Sequence, residues 1–251
     1  MYQYIYDSFL GQRQYAKVLA EIENRLTDLG IHGKVDRLSP LKSVAEAIDD
    51  GVRRGIKTVV AVGNDETLKK VIEVAPNYKV TVGVIPLGSP NRMARLLGIP
   101  DGSDACETLS ARRAVTVDVG RVNGQYFLSS VSIPGGRVTL DCEGKYRVTP
   151  VGAGAVHICN LAAVGGRDLP THISDPCDGF LDAVIEPAEG RFPWRKKSNK
   201  APTILPLRRI SVTSHKPFSA LADGRQIRNS IMHLEILPLK LKIIAGKQRM
   251  F

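Results

Sequence analysis

Apolar positions change their period near residue 113, and the change divides the chain in two. Ahead of it, residues 2–6 form a short apolar run of strand length. Over residues 12–29, Tyr15, Val18, Leu19, Ile22, Leu26 and Leu29 recur at spacings of three and four, the stripe of an amphipathic helix, and Gly30 supplies its stop. Residues 33–38 fit a second strand. Ser43 caps a further helix whose inner stripe is Val44, Ala47, Ile48, Val52 and Ile56. The runs KTVVAV (57–62) and VTVGVI (80–85) are continuously apolar, as parallel strands buried on both faces are. A helix over 67–74 lies between them and another over 91–97 follows the second. Strands alternating with helices predict a parallel, Rossmann-like α/β domain.

From residue 115 onward helical periodicity is scarce. VTVDVGRV, QYFLSSVSI, AVHICNLAAV, LDAVIEP, RRISVTS and MHLEILPL follow one another, separated by Gly, Pro, Asn and Asp turn signals. This half predicts an antiparallel β sandwich or barrel. The expected organisation is an α/β nucleotide-binding domain at 1–115, a β-sandwich domain at 116–237, and a basic tail at 238–251 that returns to the first domain.

Composition is ordinary for a globular chain of 251 residues, with 43% hydrophobic and 24% charged residues. No apolar run approaches the roughly 20 residues of a membrane-spanning helix, and the first residues lack the features of a secretory signal. Cys106, Cys142, Cys159 and Cys177 form no CxxC pair, so reduced and mostly buried thiols in a cytoplasmic protein are expected.

The net charge of +10 is local. Residues 191–209 hold seven Lys/Arg and residues 239–251 hold four, with no acid in either stretch, and the rest of the chain is near neutral. Arg191, Arg195, Lys196, Lys197 and Lys200 surround Phe192 and Trp194, a mixture suited to an anionic membrane surface and equally to a solvated loop. No RNA-binding pattern accompanies it, so no specific nucleic-acid partner is expected. His157, beside Cys159 in an apolar strand, reads as a packed core residue, and the other histidines show no metal-binding spacing.

Two predicted parallel strands end in loops of phosphate-binding composition. Gly63-Asn64-Asp65-Glu66-Thr67 follows KTVVAV and opens a helix; Pro86-Leu87-Gly88-Ser89-Pro90-Asn91 follows VTVGVI and opens another. Unpaired N–H groups at helix starts suit phosphate oxygens, and open α/β sheets bind ligands at the carboxyl ends of their strands. Neither loop matches a Walker A or GxGxxG pattern, and capping alone explains such residues equally well.

The ordered series GNDET, PLGSPN, Asp118-Val119-Gly120, Asp178-Gly179-Phe180-Leu181-Asp182 and Asp223-Gly224-Arg225 resembles the diacylglycerol kinase catalytic-domain family. Bacterial lipid kinases and sphingosine kinases belong to it, and NAD kinases are more distant. That resemblance implies a Rossmann-like domain followed by a β sandwich, with ATP and Mg²⁺ as cofactors. It implies nucleotide contacts from Gly63, Asn64, Asp65, Glu66, Thr67, Gly88, Ser89 and Asn91. Asp65, Asp178 and Asp182 become candidate metal ligands, the last two shaping a turn on the plainer reading, and Asp223 the candidate catalytic group. The implied partners are a nucleotide, a lipid substrate, the inner membrane face and a second copy of the chain in a homodimer.

Several residues depart from the family pattern. Asn64 and Glu66 replace glycines of a GGDGT motif, Ser89 replaces Thr, Pro90 removes an N–H donor, and Arg92 replaces an acid. Arg225 stands where the family has Glu, and a guanidinium cannot accept a proton. Two principal readings stay open: an ATP-dependent kinase acting on a lipid hydroxyl of diacylglycerol or sphingoid type, and a nucleotide- or lipid-binding protein that kept the fold without turnover. NAD kinase fits less well, because the DGFLD and DGR turns resemble the lipid branch.

Overall fold

The computed structural model describes residues 1–39, 42–135, 138–150, 154–164, 172–187 and 201–251. The basic run with Arg191, Phe192, Trp194, Arg195, Lys196, Lys197 and Lys200 lies outside the described residues. The chain forms two compact units, Met1–Val117 with Leu239–Phe251, and Asp118–Pro238.

The first unit is the α/β element expected from the periodicity. Its strands are β1 (Tyr2–Tyr6), β2 (Gly33–Arg37), β3 (Thr58–Gly63) and β4 (Thr81–Pro86), and its helices are α1 (Ala16–Asp28), α2 (Val44–Arg53), α3 (Asp65–Ile72), α4 (Arg92–Leu96) and α5 (Ala105–Ser110). The sheet runs β2-β1-β3-β4 with every pair parallel. Val59, Val60, Ala61 and Val62 are all buried, which is why that segment shows no alternation. The helix expected from residue 12 begins at Ala16, because two 3₁₀ turns, Ser8–Gly11 and Arg13–Tyr15, precede it. Its end is the predicted glycine stop: Gly30 has φ +65°, its N–H donates to Thr27 O, and Ile31 N–H donates to Leu26 O. At α2, Ser43 and Glu46 cap each other reciprocally.

The second unit is antiparallel. Its strands begin with β5 (Ala114–Val122), β6 (Gln125–Phe127), β7 (Ser130–Ile133), β8 (Thr139–Cys142) and β9 (Tyr146–Val148). They continue with β10 (Val156–Cys159), β11 (Ala163–Val164), β12 (His172–Ile173), β13 (Leu181–Ile185), β14 (Thr203–Leu207), β15 (Arg209–Ala222) and β16 (Arg225–Ile244). β15 joins two groups of strands in one continuous sheet. Its first half pairs with β8, its last residues pair with β7, and the register against β16 shifts between Thr213 and Phe218. Val131, Leu140, Ile158, Val212 and Met232 meet in the core. Gly120 faces Phe127 across the β5–β6 pair, where any side chain would overlap the buried ring. At Leu239 β16 passes into the first unit, and its Lys242 and Ile243 run parallel to β4.

Two sequence expectations change. The basic stretch expected as one loop contains strand β14 from Thr203 onward. His157 is half-buried rather than core: Val156 and Ile158 point inward, so period-two alternation puts the imidazole on the other face, hydrogen-bonded to Ser132 at 2.9 Å.

Candidate functional site

In the first unit the two loops expected to hold phosphate lie side by side and are laced together. β3 ends at Gly63, whose φ of +151° and contact with the Thr67 hydroxyl leave no room for a side chain. Asn64 then caps α3, its Oδ1 accepting from Glu66 N (3.0 Å) and Thr67 N (3.4 Å), while its Nδ2 donates to Ser89 O at 3.2 Å. Asp65 completes the lacing. Its N–H donates to Pro90 O (2.9 Å), and its carboxylate accepts from the first two amides of α4, Arg92 N at 2.8 Å and Met93 N at 3.1 Å.

Burial pushes the Asp65 carboxyl up, and the two α4 amides oppose that shift without cancelling it. Helix-start amides that a phosphate would use are therefore already satisfied, by Asn64 at α3 and by Asp65 at α4. What stays available is the turn between the strand and α4: the N–H groups of Gly88, Ser89 and Asn91 donate to no protein acceptor among the described residues. Gly88 has φ +77° and lies against the Phe9 ring. Asn91 Nδ2 closes the turn onto Gly88 O (2.9 Å) and reaches Asp101 (3.0 Å). Glu66, whose charge would repel a phosphate, is paired with Lys69.

The sequence reading missed Asp7. It sits at the carboxyl end of β1, 6% exposed, and accepts from the buried Thr67 hydroxyl (2.9 Å) and from Lys70 Nζ (2.8 Å). Burial alone would raise its pKa; hydrogen bonds from Lys70, Thr67 and Ser8 outweigh it and hold the carboxyl below its ordinary value. An acid directly after a predicted parallel strand was the available signal.

The candidate residues of the second unit share one hydrogen-bonded network. Asp223 and Gly224 form a two-residue hairpin turn with φ of +46° and +85°, the geometry such hairpins favour. The Asp223 carboxylate accepts from Leu128 N (2.8 Å), Ser129 N (2.9 Å) and Ser130 N (2.9 Å). That same segment meets the buried Asn160, whose Nδ2 donates to Leu128 O and to Asp118 O, both at 2.9 Å, while its Oδ1 has no partner among the described residues. Asp118, also fully buried, accepts from Gly179 N at 2.7 Å and so ties in the DGFLD turn. Within that turn Asp178 accepts from Phe180 N, and Asp182 bonds His172 Nε2 at 2.6 Å. Burial first, then the charges of Asp182, Asp175 and Asp118, push the Asp178 carboxyl up. Neither Asn160 nor His172 was a sequence candidate; Asn160 acts through partners 42 and 32 residues away, His172 through one only ten residues away.

Asp65, Asp178 and Asp182 were the candidate metal ligands. Each has oxygens committed to protein donors, and no three His, Cys, Asp or Glu side chains among the described residues group as a metal site requires. Among the described residues these side chains build no Mg²⁺ site made of protein ligands alone. Three of the four cysteines are buried as expected, Cys106, Cys142 and Cys159, with burial pushing the Cys159 thiol up to about 12, whereas Cys177 is exposed.

The loop pair of the first unit falls within a segment that a family model matches. The model of the diacylglycerol kinase catalytic domain matches residues 2–122. A Salmonella heidelberg protein named probable lipid kinase YegS is 30% identical over 241 residues, covering 78% of this chain and 80% of that protein. The chain belongs to the diacylglycerol kinase catalytic-domain family. A Bacillus subtilis diacylglycerol kinase is 32% identical over 184 residues, 70% of this chain, and the match spans only 59% of that longer relative. A crystal structure of a diacylglycerol kinase from Bacillus anthracis str. Sterne shares the fold, with a TM-score of 0.79 at 18% identity over 98% of this chain and 97% of that one. Of the loop residues, Asn64 and Pro90 take part in the lacing, whereas Glu66 pairs with Lys69 on its own helix. No helix among the described residues is long and apolar enough to cross a membrane.

Proposed function

We propose that the chain transfers a phosphoryl group from ATP to the hydroxyl of a lipid of diacylglycerol or sphingoid type. The observation that carries this reading is the tie from Asp65 to the Arg92 and Met93 amides, which holds the Gly88–Asn91 turn in place while leaving that turn's own amides for phosphate oxygens. Phosphoryl transfer through a loose transition state calls for positioning and charge stabilisation more than for covalent help. A turn fixed before the nucleotide arrives supplies the positioning without reorganisation. Asp223, fixed by three amides, is assigned to orienting the acceptor hydroxyl. The names carried by the Bacillus subtilis and Salmonella relatives support the choice of lipid over other acceptors. An aliphatic acceptor is presented at an interface, and Arg191, Trp194, Arg195, Lys196, Lys197 and Lys200 give the sequence a cationic and aromatic run for an anionic surface.

The test is transfer of label from γ-labelled ATP to diacylglycerol or sphingosine in mixed micelles. Label is expected in one of the two lipids, and loss of it in Asp223→Asn with the fold retained. Unlabelled lipid in both cases sinks the kinase reading. Arg225 favours a second reading, binding without turnover, because a guanidinium stands where the family has a carboxylate. Label transfer by Arg225→Glu, from a native chain that shows none, would establish that alternative.

A further inference from the structure

The first unit carries a second concave surface that the loops do not use. It surrounds the C-terminal end of α4 as a groove of about 620 Å³, with Arg95, Arg113 and Lys247 as its cations, Ile99, Pro100 and Met250 among its apolar residues, and Glu107 on its edge. The three cations stand on three segments that backbone hydrogen bonds lock together. Arg95 belongs to α4, Arg113 precedes β5 and accepts from Ala245 N at 3.0 Å, and Lys247 belongs to the tail. The tail is fastened where Gly246 N donates to Leu97 O (2.8 Å) and Met250 N donates to Leu96 O (2.9 Å). Gly246 and Gly98 pass so closely that a side chain on either would overlap the other segment's backbone. The shape of the groove is thus set by main chain.

Two features suit it to an anion. Among the described residues none of Arg95, Arg113 and Lys247 has a carboxylate partner, whereas the groove's acid, Glu107, is already paired with Arg25. Unneutralised cations around one concavity concentrate positive potential there. Moreover, the C-terminal end of a helix ordinarily offers open carbonyls that repel anions. Here the Leu96 and Leu97 carbonyls are occupied by the tail's own N–H groups.

We propose that this groove binds a phosphate-bearing small molecule: Arg95 and Arg113 grip the phosphate, Lys247 adds charge, and an apolar stem lies on Ile99, Pro100 and Met250. Guanidinium groups present paired donors that match phosphate oxygens, which makes the two arginines the main determinants. The site is separate from the Gly88–Asn91 turn and does not depend on the chain being a kinase.

The test is calorimetric titration of the full chain with inorganic phosphate and with n-hexyl phosphate, beside co-sedimentation with phosphatidylcholine vesicles containing phosphatidic acid. Each measurement is repeated on Arg95→Gln, Arg113→Gln, Lys247→Gln and the double variant Arg95→Glu/Arg113→Glu. All three side chains are exposed, so unchanged circular dichroism is expected and confirms that the variants fold. Hexyl phosphate should bind below about 1 mM, with each single variant weakening it roughly three- to tenfold and the double variant abolishing it. Binding confined to the vesicles and lost in the groove variants upholds the site and makes a lipid headgroup the source of the phosphate. No binding of any probe, or binding that the groove variants leave unchanged, overturns the proposal.

Discussion

The loop pair of the first unit and the turn network of the second both use an aspartate to hold backbone amides, yet they hold different things. Asp65 reaches from one strand-to-helix loop to the start of the helix after the next loop, so what it fixes is the spacing of two ligand-type turns. Asp223 sits in a hairpin turn and clamps Leu128, Ser129 and Ser130, a segment already stitched to Asn160 and Asp118. Among the described residues the first arrangement leaves amides of an exposed turn available, whereas in the second the atom left without a partner is Asn160 Oδ1. A carboxylate on backbone amides thus spaces two turns in one place and, in the other, clamps a chain segment while holding its own oxygens in a fixed place. Residue type alone does not tell them apart.

Removing the clamp should have the largest effect. Asp223→Ala strands three partly buried N–H groups and is expected to cost about 3 kcal/mol or more in urea unfolding. A loss near zero would mean water replaces the carboxylate and the contrast fails. Next comes Gly63→Ala, which places a Cβ against the Thr67 hydroxyl at a backbone angle that disfavours side chains; about 2 kcal/mol of destabilisation is expected from the same measurement.

Acid titration sharpens the contrast inside the first unit. The Asp7 carboxyl is held below its ordinary value, so its contribution to stability is present above the unfolded-state value of about 4 and fades as pH falls through the lower folded value. Asp65 is shifted upward, so its contribution has the opposite sense: it is present at low pH and lost as pH rises through the raised folded value. Unfolding curves of Asp7→Asn and native protein should therefore converge below about pH 4; a constant gap would contradict the assignment. The smallest effect belongs to Glu66→Gln, which removes a surface pair with Lys69 and should change stability by no more than about 0.5 kcal/mol.

Much of this architecture is visible in the sequence because local pattern and global fold agree. VVAV lacks alternation because both faces of β3 are covered, and Gly30 ends α1 because Ile31 must turn back onto the core. The Ser43–Glu46 spacing is a self-contained helix start. The short helix α5 and the strands β8, β9 and β14 escape such reading, since elements of three to six residues are stabilised by partners rather than by period. The full length of the β15–β16 hairpin escapes it too, because a register shift breaks the alternation. The loop residues were legible as types, whereas their use was not: Asn64 and Asp65 look like ligands in sequence and prove to be bonded to protein amides. Asp7 and Asn160 act across 60 and 32 residues of chain, which no local window reveals.

Whether Asp65 pre-positions the Gly88–Asn91 turn for phosphate is decided by calorimetry of ATP binding to the native chain and to Asp65→Asn. Asparagine keeps one oxygen for an α4 amide and loses the second acceptor and the charge. A roughly tenfold weaker complex with the fold unchanged is expected. If the carboxylate instead competes with phosphate for the Arg92 and Met93 amides, Asp65→Asn will bind ATP as tightly as the native chain or more tightly, which contradicts pre-positioning.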